Sequence, residues 1–145
     1  MTDVSWAPWL PWALLSAAFA ALTAIFAKVG VENVNSDMAT FIRTIVILGV
    51  VAAIAFARKH VQPLTELSAR TWLFLCLSGL ATGASWLCYF RALQLGDAAR
   101  VAPVDKLSVV LVAIFGVLFL GEGLSLHNWL GVLMIAGGVI LLAWS

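Results

Sequence analysis

Ionisable side chains inside apolar segments are the residues of this chain best placed to do chemistry. Asp105 and Lys106 lie within one apolar segment, and Arg43 lies near the start of another. Such groups are costly in a membrane and usually face a cavity or a partner. With Arg91 near a helix end, the excess of positive charge favours an anionic or zwitterionic solute over a bulky cation. Alternatively, the four-carbon stem of Lys106 carries its ammonium group out to the lipid headgroups.

The two neighbouring charges differ in predicted direction. On a continuous helix, Asp105 and Lys106 are about 100° apart around the axis, so their side chains are expected to point different ways. Pro103 precedes them, and a proline within a helix removes one backbone donor and kinks the axis. If the helix begins later, Pro103 is instead a first-turn proline.

Polar residues in the apolar segments recur at helical spacing. Ser78, Thr82, Ser85 and Tyr89 follow each other at steps of four, three and four, which places them on one helix face. A small-residue pair, Gly79 and Gly83, on the adjoining face predicts the close approach of another helix. The alternative for the hydroxyl groups is a bond to the carbonyl one turn earlier on their own helix, with no solute involved.

Shorter polar stripes occupy the two preceding segments. Ser16 and Thr23 share a face of the first, with Ala20 between them, and Arg43 lies between Thr40 and Thr44 in the second. Stripes on three segments together indicate a shared polar interior.

Three aromatic residues near Arg91 could supply ring faces to a solute. Trp86, Tyr89 and Phe90 come directly before this cation in the sequence. Rings beside a cation suit a solute that is part flat or apolar and part charged. The alternative is that these rings serve helix packing and the membrane interface.

Enzymatic and metal chemistry have no sequence support. His60 and His127 are single loop residues, and Cys76 and Cys88 are twelve residues apart on one helix, too far apart to bridge. We therefore expect no enzyme activity, no cofactor, no metal site and two small buried cysteine side chains. A net charge of +1 without a basic cluster predicts no nucleic-acid partner.

Five apolar stretches must position these residues. With 63% hydrophobic and 10% charged residues, the chain has the composition of a polytopic membrane protein. Each stretch approaches the ~20 residues that cross a bilayer. We predict an all-α fold of five transmembrane helices in one domain over residues 1–145, with the first stretch kept as a helix rather than cleaved as a signal peptide. The helices are expected at about 9–27, 38–57, 72–90, 100–120 and 126–144.

The odd number of helices places the two termini on opposite sides of the membrane. Positive residues in the short connections are nearly balanced, with three on one side and three to five on the other. Because such residues set orientation, this balance leaves open both a single orientation and insertion in both directions. Insertion in both directions would give an inverted pair from one chain.

The last third of the chain carries a recognisable motif. The runs YFRALQLGDAARVAPVDKLS (89–108), FLGE (119–122) and WLGVLMIAGGV (129–139) resemble the EamA domain of the drug/metabolite transporter superfamily. The first half is similar in helix length and spacing. The resemblance implies a single five-helix repeat of a carrier with a central cavity, and it implies that Pro103, Lys106 and Ser108 lie on the helix that faces this cavity.

Together these features predict an integral membrane carrier that moves a small organic metabolite by alternating access. It is expected in a prokaryotic inner membrane. Its expected assembly is either a homodimer, for which an antiparallel arrangement is possible, or a complex with a second half-sized subunit. The alternative is a non-transporting subunit that stabilises or regulates a partner. The predicted path residues are Arg43, Ser78, Thr82, Ser85, Trp86, Tyr89, Pro103, Asp105, Lys106 and Ser108.

Overall fold

The computed structural model describes residues 8–59, 63 and 67–144, so His60 lies outside the described residues. Throughout this part of the chain the regular structure is helical, which confirms the predicted all-α class. Five spans are long and apolar enough to cross a membrane, the fourth formed by two consecutive helices. The helices are α1 (Leu10–Gly30), α2 (Ser36–Ala57), α3 (Ala69–Leu95), α4 (Ala98–Asp105), α5 (Ser108–Leu120) and α6 (Leu126–Trp144).

Local side chains fix where several helices begin and end. The Asn35 side chain accepts hydrogen bonds from the backbone N–H groups of Asp37 and Met38 at the start of α2. Ser68 accepts one from Thr71 N–H at the start of α3. Both contacts satisfy donors that have no partner within the helix. At the end of α5, Gly121 adopts a left-handed conformation with φ of 68°, which glycine reaches without a steric penalty.

The fourth span is interrupted between α4 and α5. Pro103 is the sixth residue of α4, so the alternative of a first-turn proline is wrong. Three residues later the chain changes to tighter bonds, from Lys106 N–H to the Pro103 carbonyl and from Leu107 N–H to the Val104 carbonyl. Proline cannot donate to the preceding turn and crowds its carbonyl. The interruption turns the backbone at the position of the two neighbouring charges.

The helices pack most closely at one end of the bundle. Ala27 and Val31 at the end of α1 meet Phe90 and Leu93 at the end of α3, and all four are buried. Ala98 and Val101 of α4 pack against this cluster. We call this region the closed end. It lies on the membrane side opposite the start of α1, because α1 and α3 cross in the same direction.

Side chains of α1 and α3 close this end by bonding to each other's last carbonyls. Lys28 Nζ donates to the carbonyls of Leu93 and Gly96 at 2.7 and 2.9 Å. In return, Gln94 Nε2 donates to the carbonyls of Val31 and Val34 at 3.2 and 2.7 Å. Carbonyls at a helix C-terminus have no partner within the helix and attract positive charge. Each helix end is therefore capped by the other.

The two ends of α3 differ in their surroundings. Gly79 and Gly83 face open space, since a Cβ atom at either would meet no atom within 4 Å. Among the described residues, the predicted close approach of another helix is therefore not made. Cys76 and Cys88 are unbridged but exposed, so the expectation that they are buried is wrong for the single chain. The first half of α3, residues 69–82, is exposed along its whole length.

Candidate functional site

A polar cavity of about 330 Å³ lies between the helices, in the middle of their length. It is bounded by α1, α2, α3 and the interruption between α4 and α5. Arg43, one of its charged residues, follows the start of α2 by seven residues, or roughly 10 Å along the axis. The lining residues are Ser16, Phe19, Ala20, Thr23, Arg43, Ser85, Trp86, Tyr89, Asp105 and Lys106.

Two aromatic rings of α3 hold the guanidinium group of Arg43. Its Cζ atom lies 4.3 Å from the centre of the Trp86 ring and 5.3 Å from that of Phe90. Cation–π contacts strengthen when the cation is removed from water. Because ring faces accept no conventional hydrogen bond, the five N–H donors stay available, and within the described residues none has a side-chain or backbone acceptor. Arg43 is therefore oriented but not neutralised.

The cation on these rings is not the one that follows them in the sequence. Arg91, their neighbour in the chain, instead donates to the side chain of Gln94 at 3.1 Å. Arg43 reaches the rings from α2, through the packing of α2 against α3.

The charges of Asp105 and Lys106 pair with each other. Lys106 Nζ lies 3.0 Å from Asp105 Oδ2, and the side chains are 55% and 34% exposed. The expectation that these side chains point different ways is wrong, because the α4–α5 interruption replaces the continuous helix on which it was based. Both residues line the cavity, and their pairing leaves Arg43 as its uncompensated charge.

The structure brings together six of the ten predicted path residues. Arg43, Ser85, Trp86, Tyr89, Asp105 and Lys106 line the cavity, whereas Ser78, Thr82, Pro103 and Ser108 do not.

The residues outside the cavity have other surroundings. Thr82 Oγ1 donates to the Ser78 carbonyl at 2.8 Å, the alternative foreseen for hydroxyl groups in these helices. Ser108 begins α5 just beyond the interruption, and Pro103 precedes it in α4.

Residues of α1 complete the cavity. Ser16, Ala20 and Thr23 line it together, as their shared face predicts. Phe19 was not predicted as a path residue. Its position three residues after Ser16 places it on the same side of the helix, and this spacing is the signal that could have identified it.

An apolar groove of about 470 Å³ adjoins the polar cavity. Thr23 and Arg43 line both spaces, so the two meet at these side chains. The groove runs between α1 and α2 toward the closed end. Its other lining residues are Phe26, Ala27, Gly30, Val34, Ala39, Ile42, Val46, Ile47 and Phe90.

Comparison with known proteins identifies the relatives of this chain. Residues 7–144 match the model of the EamA-like transporter family. The chain is 73% identical over 135 residues, covering 93% of this chain and 96% of the relative, to the Sinorhizobium sp. protein named "Uncharacterized transporter in cobO 3'region".

A second relative is more distant. The chain is 31% identical over 83 residues, covering 57% of this chain and 73% of the relative, to a Yersinia pestis (strain Pestoides F) protein. Its name is "Probable 4-amino-4-deoxy-L-arabinose-phosphoundecaprenol flippase subunit ArnE". No solved structure shows a significant similarity to this chain.

These matches agree with the five apolar spans and with the motifs of residues 89–142. The relatives are named as transporters or as a flippase subunit, and the family model covers nearly the whole chain. The chain belongs to the EamA-like transporter family and is an integral membrane protein of the transporter class.

Proposed function

We propose that this protein is a carrier for an organic anion or zwitterion, with Arg43 as the residue that binds the negative group. The observation that carries this proposal is a guanidinium held by two rings in mid-bundle with its donors unused. Arginine presents these donors in a rigid fork that matches carboxylate and phosphate groups. For a zwitterion, Asp105 can receive the positive group by exchanging its bond with Lys106.

Transport is proposed to occur by alternating access. Secondary transporters expose a central site first to one side of the membrane and then to the other. In this chain the Lys28 and Gln94 bonds close one end, while the first half of α3 beyond the cavity is exposed. One end of the bundle is thus closed and the other is exposed. This difference supports a path that is closed toward one side of the membrane and open toward the other.

A second five-helix unit is proposed to complete the solute path. The assembly is proposed to lie in a prokaryotic inner membrane. The 55% exposure of Lys106, which lines the cavity, supports a partner that covers this side chain. Polar groups left facing lipid without partners are costly. The name of the Yersinia relative describes a subunit, which supports assembly from separate small chains. The second half is either another copy in inverted orientation or a different half-sized subunit.

Reconstitution tests this function directly. The purified protein in vesicles is screened for uptake from pooled metabolites, and Arg43→Gln is compared with the parent protein. Arg70→Gln is a matched control, because Arg70 also stacks on a ring, that of Phe74 at 5.8 Å, but lies outside the cavity. We expect Arg43→Gln to lose uptake and Arg70→Gln to keep it. Equal uptake by both variants would contradict the role of Arg43.

The exposed cavity also supports a second candidate function. A subunit that only stabilises a partner would present these polar residues to that partner rather than to a solute. In that case, Arg43→Gln would lower the amount of the complex in the membrane but not the transport rate per complex. Quantifying the complex beside the uptake separates the two functions.

A further inference from the structure

The polar cavity and the apolar groove adjoin each other and differ in chemical character. Arg43 and Thr23 stand at the boundary and line both parts. On one side lie the Asp105–Lys106 pair and the ring of Tyr89. On the other side the lining is almost wholly aliphatic, apart from Phe26 and Phe90. A ligand that fills both parts must itself be polar at one end and apolar at the other.

The groove exists because α1 and α2 have no close packing against each other. α1 packs on α3 and α4, and α2 packs on α3, but the two consecutive helices have no comparable mutual contact. Ile42 and Val46 of α2 therefore line an unfilled space opposite Phe26 of α1. The opening lies within the membrane-spanning part of the helices, where the surroundings are hydrocarbon.

We propose that the solute is an amphiphilic phosphate, with its phosphate at Arg43 and its hydrocarbon chain in the groove between α1 and α2. This inference rests on the proposed function, since it names the substrate class of the same site. The phosphate is placed at Arg43 because Lys106 is already paired with Asp105, and because the guanidinium fork suits phosphate oxygens. The hydrocarbon chain of the solute is placed in the groove because Arg43 also lines the groove.

The charge at the start of the groove favours an amphiphilic phosphate over an apolar helix of a partner. The groove, of about 470 Å³, includes Arg43 and continues between α1 and α2 along mostly aliphatic side chains. An apolar helix brings no negative group to Arg43, whereas an amphiphilic phosphate matches both the guanidinium group and the apolar lining.

Photolabelling in vesicles of neutral phosphatidylcholine tests the proposal. The probe is a diazirine analogue of farnesyl phosphate, and the competitors are farnesyl phosphate, farnesol and glycerol 3-phosphate. We expect strong protection by farnesyl phosphate alone, because farnesol lacks the charge and glycerol 3-phosphate lacks the chain. Arg43→Gln is expected to lower labelling by about 10-fold or more, because the substitution removes a charged hydrogen-bond donor.

Two valines one turn apart provide a matched test of the groove. Val46 lines the groove and Val50 does not, and their side chains are similarly exposed, at 59% and 53%. Val46→Trp fills the space and is expected to lower labelling on the order of tenfold. Val50→Trp should change labelling less than about twofold, since surface substitutions have small effects.

Four results would overturn the proposal, and only the last of them also refutes the proposed function. Equal protection by glycerol 3-phosphate would assign the site to a small soluble anion, and the carrier function would stand. Phosphatidylglycerol, a two-chain bilayer phosphodiester, is added as a further competitor, and equal protection by it would show that ordinary bilayer lipid fills the groove rather than a selected solute. A disulfide between copies bearing Val46→Cys, with Cys76 and Cys88 replaced by serine, would show that a second chain fills the groove. Unchanged labelling and unchanged uptake in Arg43→Gln would refute both proposals.

Discussion

Lys28 is predicted to hold the closed end shut. Its ammonium group donates to two carbonyls at the end of α3, at 2.7 and 2.9 Å. Lys28→Met keeps most of the aliphatic stem but removes both bonds and the positive charge. We expect the α1–α3 contact to open more often, because the carbonyls of Leu93 and Gly96 then lose the partner that α1 provides.

The structure sets the size of this effect. A hydrogen bond to a charged group contributes about 1.5–3 kcal/mol, against about 0.5–1.5 kcal/mol for a neutral one. Lys28 is half-buried, and water solvates it when the end opens, so we assign about 1.5–3 kcal/mol to the two bonds together. This change shifts the opening equilibrium by roughly 10- to 150-fold. The Gln94 bonds and the apolar cluster remain, so the bundle should stay folded.

Cysteine accessibility measures the opening. Val31 is only 1% exposed in the closed cluster, so Val31→Cys should react with a water-soluble maleimide only when this end opens. The background carries Cys76→Ser and Cys88→Ser, since both native cysteines are exposed. When opening and closing are fast relative to the reaction, the labelling rate follows the opening equilibrium. The rate should therefore rise roughly 10- to 150-fold in Lys28→Met.

Lys59→Met is the control for the loss of a positive charge. Lys59 follows α2 in the connection to α3, on the membrane side opposite the closed end. It should leave the labelling rate of Val31→Cys unchanged. If Lys28→Met labels no faster than this control, the two hydrogen bonds do not hold the closed end and the reasoning is refuted.

The remaining predictions concern the path, the interruption and the orientation. Lys106→Ala should abolish or strongly weaken uptake per protein while Lys106→Arg keeps part of it; if Lys106 serves only anchoring, the alanine variant lowers the membrane level instead. Gln94→Leu should raise the labelling of Val31→Cys less than Lys28→Met does, because the two bonds that Gln94 donates to the end of α1 are neutral and its third bond, from Arg91, lies within α3. Pro103→Ala restores a backbone donor and should lower uptake with thermal stability kept or raised, since a more regular α4 moves the Asp105–Lys106 pair; normal uptake would contradict this. A reporter on the C-terminus should give a mixed orientation signal, which one added lysine in either set of connections should resolve; a reporter that stays on one side through both additions excludes dual insertion.

Apolar length and helical spacing predict most of the fold. The five expected segments correspond to the five spans, and the face of Ser16 and Thr23 does line the cavity. α1 and α3 run beyond their apolar segments, to Gly30 and Leu95. These extensions carry Lys28 and Gln94, whose bonds reach residues more than sixty positions away. Hydropathy measures only local transfer to lipid, so it ends the helices too early.

The contacts that Arg43 and Lys106 make could not be predicted from the spacing of residues along the sequence. Whether Arg43 meets Trp86 depends on the rotation of α2 against α3, which the hydropathy of two nearly all-apolar helices leaves open. Whether Lys106 meets Asp105 depends on where the fourth span leaves the α-helical hydrogen-bond pattern. Pro103 signals that a change occurs, but the tighter turn follows three residues later. Both pairings therefore required the packed structure.

The distribution of satisfied and unsatisfied polar groups is the physical basis for the proposed second half. Thr40, Thr44 and Thr82 each donate to a carbonyl four residues earlier on the same helix, so these hydroxyl groups can face lipid at little cost. Arg43 is different, because the rings of Trp86 and Phe90 stabilise its charge, while its donors meet no acceptor in the part of the chain that the structure describes. Such donors cost several kcal/mol in hydrocarbon. A solute, water or a second half must therefore supply acceptors to the N–H donors of Arg43. The donors that make this residue a candidate binding site thus also favour the association of a second half around it.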